Sequence, residues 1–372
     1  MHDKVYIISE VERFDRLRLI RSENVGPVTF RQLLSRYKTA GNALAALPEL
    51  AARGGLKRKF KIAKPADIRN EIDAAQKVGA KWVAMGEPDY PAALAVLNDS
   101  PPMLCVKGHP VLFQKPAVGI VGARNASANA RAFTREIAHE LGEAGLLVVS
   151  GLARGIDAAA HAGSLATGTV AVVAGGVDIV FPPENRELQH QIGESGVIVS
   201  EMPVGMVPKG RHFPRRNRII SGISYGVVVV EAAVRSGSLI TARVAGEQGR
   251  EVFAVPGSPK DPRCKGTNNL LRQGAQMTET AEDVLSILKP MLSQPLREPD
   301  LFSYQHEDSS DEQELSQARG LISELLGPSP VEVDELIRQS KLTPTTVLTI
   351  LLELELAGRV ERHAGQKVAQ RL

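Results

Sequence analysis

Between residues 115 and 288, short apolar runs recur and are separated by stretches of helix length. The runs are 117–121, 146–149, 170–174, 197–200, 227–230 and 252–255, most of them rich in Val and Ile. Each is nearly continuous rather than alternating apolar with polar. A strand reads this way when both faces are buried, as in a parallel sheet covered by helices on both sides. Intervening segments such as 130–144 and 239–248 match the crossover helices such a sheet needs. The pattern predicts an α/β fold with an extended, Rossmann-like, doubly wound and mostly parallel sheet.

The flanks read differently. Residues 13–21, 28–37, 39–47 and 65–78 have helical spacing. The turn Asn24-Val25-Gly26-Pro27 resembles a helix–hairpin–helix turn, with Gly for the tight backbone and Pro to open the next helix. Such a turn either touches DNA phosphates through its amides or serves a helical packing module. After the sheet region, residues 290–313 hold three prolines, serines and the acids Glu298, Asp300, Glu307, Asp308, Asp311 and Glu312. That composition disfavours a core and predicts an acidic, flexible tether. Residues 315–326, 333–338 and 344–357 then read as three helices, and 360–371 as a hairpin around Gly365-Gln366. Three helices and a hairpin predict a winged helix. The expected domains are therefore an N-terminal helical (SAM or helix–hairpin–helix-like) domain at 1–85, the sheet domain at 86–289, the linker at 290–314, and the winged helix at 315–372.

A chain of 372 residues with a net charge of +3 carries no general basic bias, so any polyanion site must be local. The two cysteines, Cys105 and Cys264, are far apart in sequence and have no metal-like spacing. A disulfide framework and a structural metal are not expected, and a reducing cytoplasm fits. No apolar run approaches the roughly 20 residues of a spanning helix, and no signal-like h-region opens the chain.

The chemistry is expected where the strands end. The loops are Gly122-Ala123-Arg124-Asn125-Ala126-Ser127, the run 150–157 with His161, Gly175-Gly176-Val177-Asp178 leading into Phe181-Pro182-Pro183-Glu184-Asn185, and Glu231 to Arg235 followed by Ser236-Gly237-Ser238. In a parallel sheet these loops share the carboxyl edge, where amides and helix N-termini face outward together. Glycines let a backbone approach an anion, so the predicted ligand bears phosphate. The sharpest charge feature is the stretch 209–218, read as a loop with Lys209, Arg211, Arg215, Arg216 and Arg218 and no acid. Guanidinium forks match phosphate oxygens, and Phe213 offers a ring for a base to stack on. Arg216 or Arg218 is also expected to anchor a carboxylate such as Glu201 or Glu231. Asp157 and His161 are four apart and would share a helix face, either as an acid–base pair or as packing residues. No Gly-x-Ser-x-Gly elbow serves a nucleophile, and no ATP-binding P-loop, Gly-x-Gly-x-x-Gly fingerprint or metal-ligand set is expected. Catalytic residues, metals and cofactors are therefore not expected.

These motifs, in order, resemble one family. Gly119-Ile120-Val121-Gly122-Ala123-Arg124, the run 150–157 with His161, Phe213-Pro214-Arg215-Arg216-Asn217-Arg218-Ile219-Ile220, Val230-Glu231-Ala232, the run 236–242 and Pro256-Gly257 look like the DNA-processing protein A (DprA/Smf) family. Gly86-Glu87-Pro88-Asp89-Tyr90-Pro91 upstream and Gly266-Thr267-Asn268-Asn269-Leu270-Leu271 downstream continue the match across about 86–288. The resemblance implies a non-enzymatic protein that binds single-stranded DNA. It also implies protection of incoming DNA in natural transformation, loading of the RecA recombinase, and a homodimer formed through the sheet domain. Carried over residue by residue, it points to Arg124, Ser150, Gly151, Arg154, Phe213, Arg215, Arg216, Asn217 and Arg218, with Lys209 and Arg211 on the rim. Ala123 departs from the family's usual Ser or Thr. The competing reading is a nucleotide-processing, phosphoribohydrolase-like enzyme on the same fold. Its glutamate is not matched, because the helix starting near Ser236 has no acid before Glu247. The helix expected to enter a DNA groove, 344–357, carries Glu353 and Glu355 and no cation, which opposes groove reading.

Overall fold

The structure is a computed structural model that describes residues 8–292, 312–363 and 365–371. Its chain divides into two compact units, one holding residues 69–299 and the other 9–68 with 300–372. Most of the expected tether, including its acids up to Asp311, lies outside the described residues.

The second unit begins with α1 (Glu10–Ile20), α2 (Pro27–Tyr37) and α3 (Ala40–Arg53). Their starts are written locally: the Ser9 and Thr39 hydroxyls cap α1 and α3, and Pro27 opens α2 after Gly26. The following α4 (Pro65–Lys77) carries the chain to the sheet unit.

The sheet has nine strands: β1 (Ala80–Ala84), β2 (Met103–Gly108), β3 (Ala117–Gly122), β4 (Leu147–Ser150), β5 (Thr169–Val172), β6 (Val197–Ser200), β7 (Gly226–Val230), β8 (Glu251–Ala254) and β9 (Gln276–Met277). Their order is β1-β2-β6-β5-β4-β3-β7-β8-β9. From β6 to β9 all neighbours are parallel, whereas β1–β2 and β2–β6 are antiparallel. The alternating side-chain directions of a strand explain the continuous apolar runs. Val118, Ile120, Val148 and Val228 enter one core with Ile137, Leu141 and Val284. Val121, Val149, Val172 and Val229 enter the other with Ile219, Ile220 and Ala245. The helices supplying these layers include α5 (Ala92–Ala95), α6 (Ala128–Glu143), α7 (Ile156–Ser164), α8 (Arg186–Ser195), α9 (His212–Ile223), α10 (Gly237–Glu247), α11 (Lys265–Arg272) and α12 (Ala281–Leu292).

Several elements differ from the sequence reading, the short strands at 276–277 and 331–332 among them. Strands β1 and β2 were not expected; they are short and extend the sheet by antiparallel pairing beyond β6. As a result, residues 80–84 lie in the sheet and not with the N-terminal helices. The stretch read as a loop at 209–218 becomes α9 from His212 onward. Pro214 concealed that helix, but it occupies the first turn, where no intrahelical N–H donor is needed.

The winged helix comprises α13 (Glu312–Leu325), α14 (Val333–Ser340), α15 (Pro344–Leu356) and three strands. These are β10 (Val331–Glu332), β11 (Val360–His363) and β12 (Lys367–Gln370), in the order β10-β12-β11. Helix α15 is shared between two cores. Val347, Ile350, Leu351 and Leu354 pack with Ile322 and Leu336. Leu352 and Leu356 pack with Phe30, Leu33, Leu44 and Leu47 of the N-terminal helices. Asn24 of the hairpin turn donates to the Leu356 carbonyl at 3.0 Å, and Val25 is buried. That turn is thus a packing element in this fold.

Candidate nucleic-acid interface

The strand order reverses at β3, whose neighbours are β4 on one side and β7 on the other. Loops leaving such a switch point diverge and leave a crevice at the carboxyl edge. Here the loops are locked together. The Ala123 carbonyl accepts from Ile156 N at 3.2 Å, so the loops after β3 and β4 touch. A Cβ on Gly155 would lie 2.2 Å from that carbonyl, and Gly155 has a φ of +79°, so only glycine suits the position. Glu231, after β7, accepts from Ser127 N at 2.9 Å and closes the β3–β7 side.

Helix α9 sorts its side chains by face. His212, Arg216, Ile219, Ile220 and Ile223 point inward and are buried. Arg215 and Arg218, three apart, share another face, and both bind Glu201, each at 2.8–2.9 Å. Arg218 also donates to the Asp99 carbonyl and its side chain is only 12% exposed, against 50% for Arg215. The expected anchoring of Glu201 therefore falls to Arg218 and Arg215.

Arg216 reaches inward, where it donates to the Val172 carbonyl at 2.8 Å. It lies so close under Gly151 that a Cβ there would be 1.6 Å from its guanidinium. Asp157 is equally buried and accepts from Ala153 N at 3.3 Å. Burial pushes the Asp157 carboxyl up, against the pull of Arg216. Burial also lowers the Arg216 guanidinium to about 10, while Asp157 opposes that shift. His161 is fully buried with Nδ1 2.8 Å from the Thr169 hydroxyl, and burial lowers its pKa to about 3. It is neutral at physiological pH. Ser150 is buried too, and its hydroxyl donates to the Ile120 carbonyl at 2.6 Å. Thus Ser150, Gly151 and Arg216 are interior parts of the loop scaffold.

The outer rim holds the remaining candidates. Arg124 is exposed with its guanidinium 5.5 Å from the Phe213 ring centre. Arg154 is exposed and lies 3.6 Å from Glu184. Lys209 and Arg211 are exposed just before α9, and the half-buried Asn217 makes a long 3.5 Å bond to the Gly237 carbonyl. His212 caps this turn: Lys209 N donates to its Nδ1 at 3.3 Å, and burial with Arg211 and Lys209 nearby lowers its pKa. The sequence reading placed Phe181 in a strand-end loop but gave it no role; its ring centre is 5.6 Å from that of Phe213. That reading also missed the interior direction of Arg216, although His212, Arg216, Ile219 and Ile223 repeat at helical spacing and could have shown it.

Apart from this rim, Glu231, Asp261 and Cys264 bring their ligand atoms within 4.8 Å of one another. Arg263 binds Asp261 at 2.7 Å and lies 4.0 Å from Glu231, and burial raises the Cys264 thiol. The cluster reads as a charge-paired brace for the loop after β8.

The model of the DNA recombination-mediator protein A family matches residues 81–289. The chain belongs to that family. A DprA-like N-terminal HHH domain matches residues 10–74 and a DprA winged helix domain 306–366, so each part of this family member has its counterpart. The protein Smf of Synechocystis sp. is 33% identical over 384 aligned residues, covering 94% of this chain and 96% of that one. Among solved structures, DNA processing protein A from Streptococcus pneumoniae aligns with a TM-score of 0.61 and 33% identity, covering 74% of this chain and 96% of that chain. Another, from Helicobacter pylori, aligns at 0.53 and 28%, covering 57% and 96%; it was solved to describe a single-stranded DNA binding mode of that protein. Among the described residues, no helix of this family member is long and apolar enough to cross a membrane.

Proposed function

We propose that this chain binds single-stranded DNA at the carboxyl edge of its sheet and mediates recombination without catalysing a reaction. The observation that carries the reading is the contact of the exposed Arg124 with the half-buried Phe213, on strand-end loops and a helix start that also carry the exposed Arg154, Lys209, Arg211 and Arg215. Guanidinium groups neutralise phosphates, and an adjacent ring accepts an unstacked base. A single strand can fold its phosphates toward so compact a rim. A duplex, with a persistence length of about 150 bp, bends that tightly only at high energetic cost. Membership of the family and the H. pylori relative support the same ligand.

Within this proposal the candidate residues divide in two. Arg124, Arg154, Phe213, Arg215, Asn217, Lys209 and Arg211 face DNA. Ser150, Gly151, Arg216 and Arg218 hold the loops that present them. The absence of catalysis is supported by the burial of Asp157 and His161, neither of which is presented at the rim. It is also supported by the place of Glu247, the last residue of α10. That residue closes an eleven-residue helix, at about 1.5 Å of rise per residue, far from the N-terminal end where a ligand would sit. RecA loading, protection of incoming DNA and homodimerisation through the sheet unit belong to the same proposal and come from the family resemblance; a cytoplasmic location joins it from the cysteine usage.

A salt series tests the central claim. The logarithm of the binding constant for an oligothymidylate should fall with log salt, with a slope of about −0.7 per phosphate neutralised. Arg124→Ala is expected to weaken binding by roughly tenfold and to flatten that slope by about one phosphate. Wild-type affinity and slope in Arg124→Ala, measured by gel shift, would count against the site. Release of free base from nucleoside monophosphates, followed by chromatography, would instead reveal the enzyme.

A further inference from the structure

Resting on the single-strand reading above, we propose that Phe181 is a base-stacking residue that forms, with Phe213 and Arg124, a wall for one unstacked nucleobase. The sequence places it in a strand-end loop but assigns it no role, because a lone phenylalanine before Pro182 carries no spacing signal.

The first observation is exposure. Phe181 is 47% exposed, at the same rim as the exposed guanidinium of Arg124. Single exposed apolar residues are ordinary, so exposure alone decides nothing. The second observation is contact. The Phe181 and Phe213 ring centres are 5.6 Å apart and tilted by 51°, inside the range of attractive aromatic pairs. Phe213 in turn has the Arg124 guanidinium 5.5 Å from its centre. Two rings and a guanidinium thus follow one another, and each can stack on a base.

The third observation is rigidity. The loop carrying Phe181 is tied at several points. Asn185 donates to the Leu152 carbonyl at 2.9 Å and to that of Ala153 at 3.2 Å. Gln189 donates to the Val177 and Ile179 carbonyls, each at 3.2 Å. Asp178 accepts from Gly205 N at 2.9 Å. A ring held in this way loses little freedom on binding, so more of its stacking energy appears as affinity. The bonds from Asn185 also register the ring against the Gly151 loop, which fixes the spacing between phosphate contacts and stacked base.

Stacking and charge contacts leave different signatures. A phosphate contact changes the salt slope, whereas a stacked ring changes affinity without changing it. Stacking also needs a base, so an abasic strand with the same phosphates should not feel the ring.

The test measures fluorescence anisotropy of the full chain with an oligothymidylate and with an abasic oligomer of equal length. Phe181→Ala is expected to weaken oligothymidylate binding roughly tenfold, with an unchanged salt slope and no loss on the abasic strand. Phe181→Leu, which keeps apolar bulk for folding, should lose affinity in the same way, and Phe181→Tyr should bind like wild type. Wild-type oligothymidylate affinity in Phe181→Leu would overturn the stacking role, as would an equal loss on both strands. Failure of the wild-type chain to bind either oligomer would instead overturn the single-strand reading itself.

Discussion

Replacing Arg216 with alanine is expected to lower the stability of the sheet unit by about 3–5 kcal/mol at pH 7, the usual effect of stranding a buried charge. Arg216 is buried, its guanidinium bonds the Val172 carbonyl, and its charge is what offsets the burial of Asp157. Without it, Asp157 would remain ionised in a low-dielectric interior or take up a proton. The void left beneath Gly151 adds a packing loss. Urea unfolding at pH 7 measures the effect.

The pH dependence has a definite sign. The folded Asp157 carboxyl already sits above its ordinary value of 3.8, chiefly through burial. Its contribution therefore favours the fold below that ordinary value and is lost as pH rises through the folded pKa. Removing Arg216 raises the folded pKa further, which widens the window toward neutrality. The deficit of Arg216→Ala should then shrink between pH 7 and pH 5. A deficit below 1 kcal/mol, or one that stays constant across this window, would remove Arg216 from the interior role. Its DNA affinity, measured on the folded fraction, separates scaffold from contact: loss of a surface contact would lower the salt slope, as is expected of Arg124→Ala.

Deleting residues 312–372 is the second large perturbation. Single-strand affinity should stay within tenfold of wild type, or about 1.4 kcal/mol. The N-terminal helices should instead lose stability. Leu352 and Leu356 complete their core, and each buried leucine is worth about 1.5–3 kcal/mol. A helical domain of about 60 residues is marginal by itself, so a loss of that size is felt throughout it. The contact is tight: a Cβ on Gly54 would lie 2.0 Å from the Glu353 carbonyl, and Asn24 bonds the Leu356 carbonyl. Limited proteolysis of residues 9–68 in the full and shortened chains reads the effect. Unchanged protection would show that the helical domain stands alone. A loss of affinity beyond tenfold would show that the wing takes part in DNA binding.

The winged helix also shows why a helix with groove-reading position need not read a groove. Glu353 of α15 is buried and bound to Arg319 at 2.6 Å. Arg362 binds Glu355 at 2.8 Å and also reaches Gln32, while Lys367 lies 3.5 Å from Glu332. Of the wing's basic residues, Arg362 is thus engaged by an acid and by the N-terminal helices and Lys367 by an acid, which reduces the charge available for backbone contact with DNA.

The residue order alone determined the parallel core of the sheet, crossover helices such as α6 and α10, and the winged helix. The physical reason is periodicity: Val118 to Val121 must alternate between two cores, and serine or threonine caps announce the helices. The same order also announced a cationic rim, since Arg124 and the 209–218 stretch lie near strand ends. Tertiary structure decided which of those cations face outward. Arg215, Arg216 and Arg218 are neighbours in sequence, but about 100° of helical rotation per residue sends Arg216 under Gly151 and the other two to Glu201. It also decided that Phe181 meets Phe213, two rings 32 positions apart that only the shared sheet edge brings together. Local spacing fixes the face of an element a residue occupies; what that face packs against depends on distant chain, and so only the folded chain reveals it.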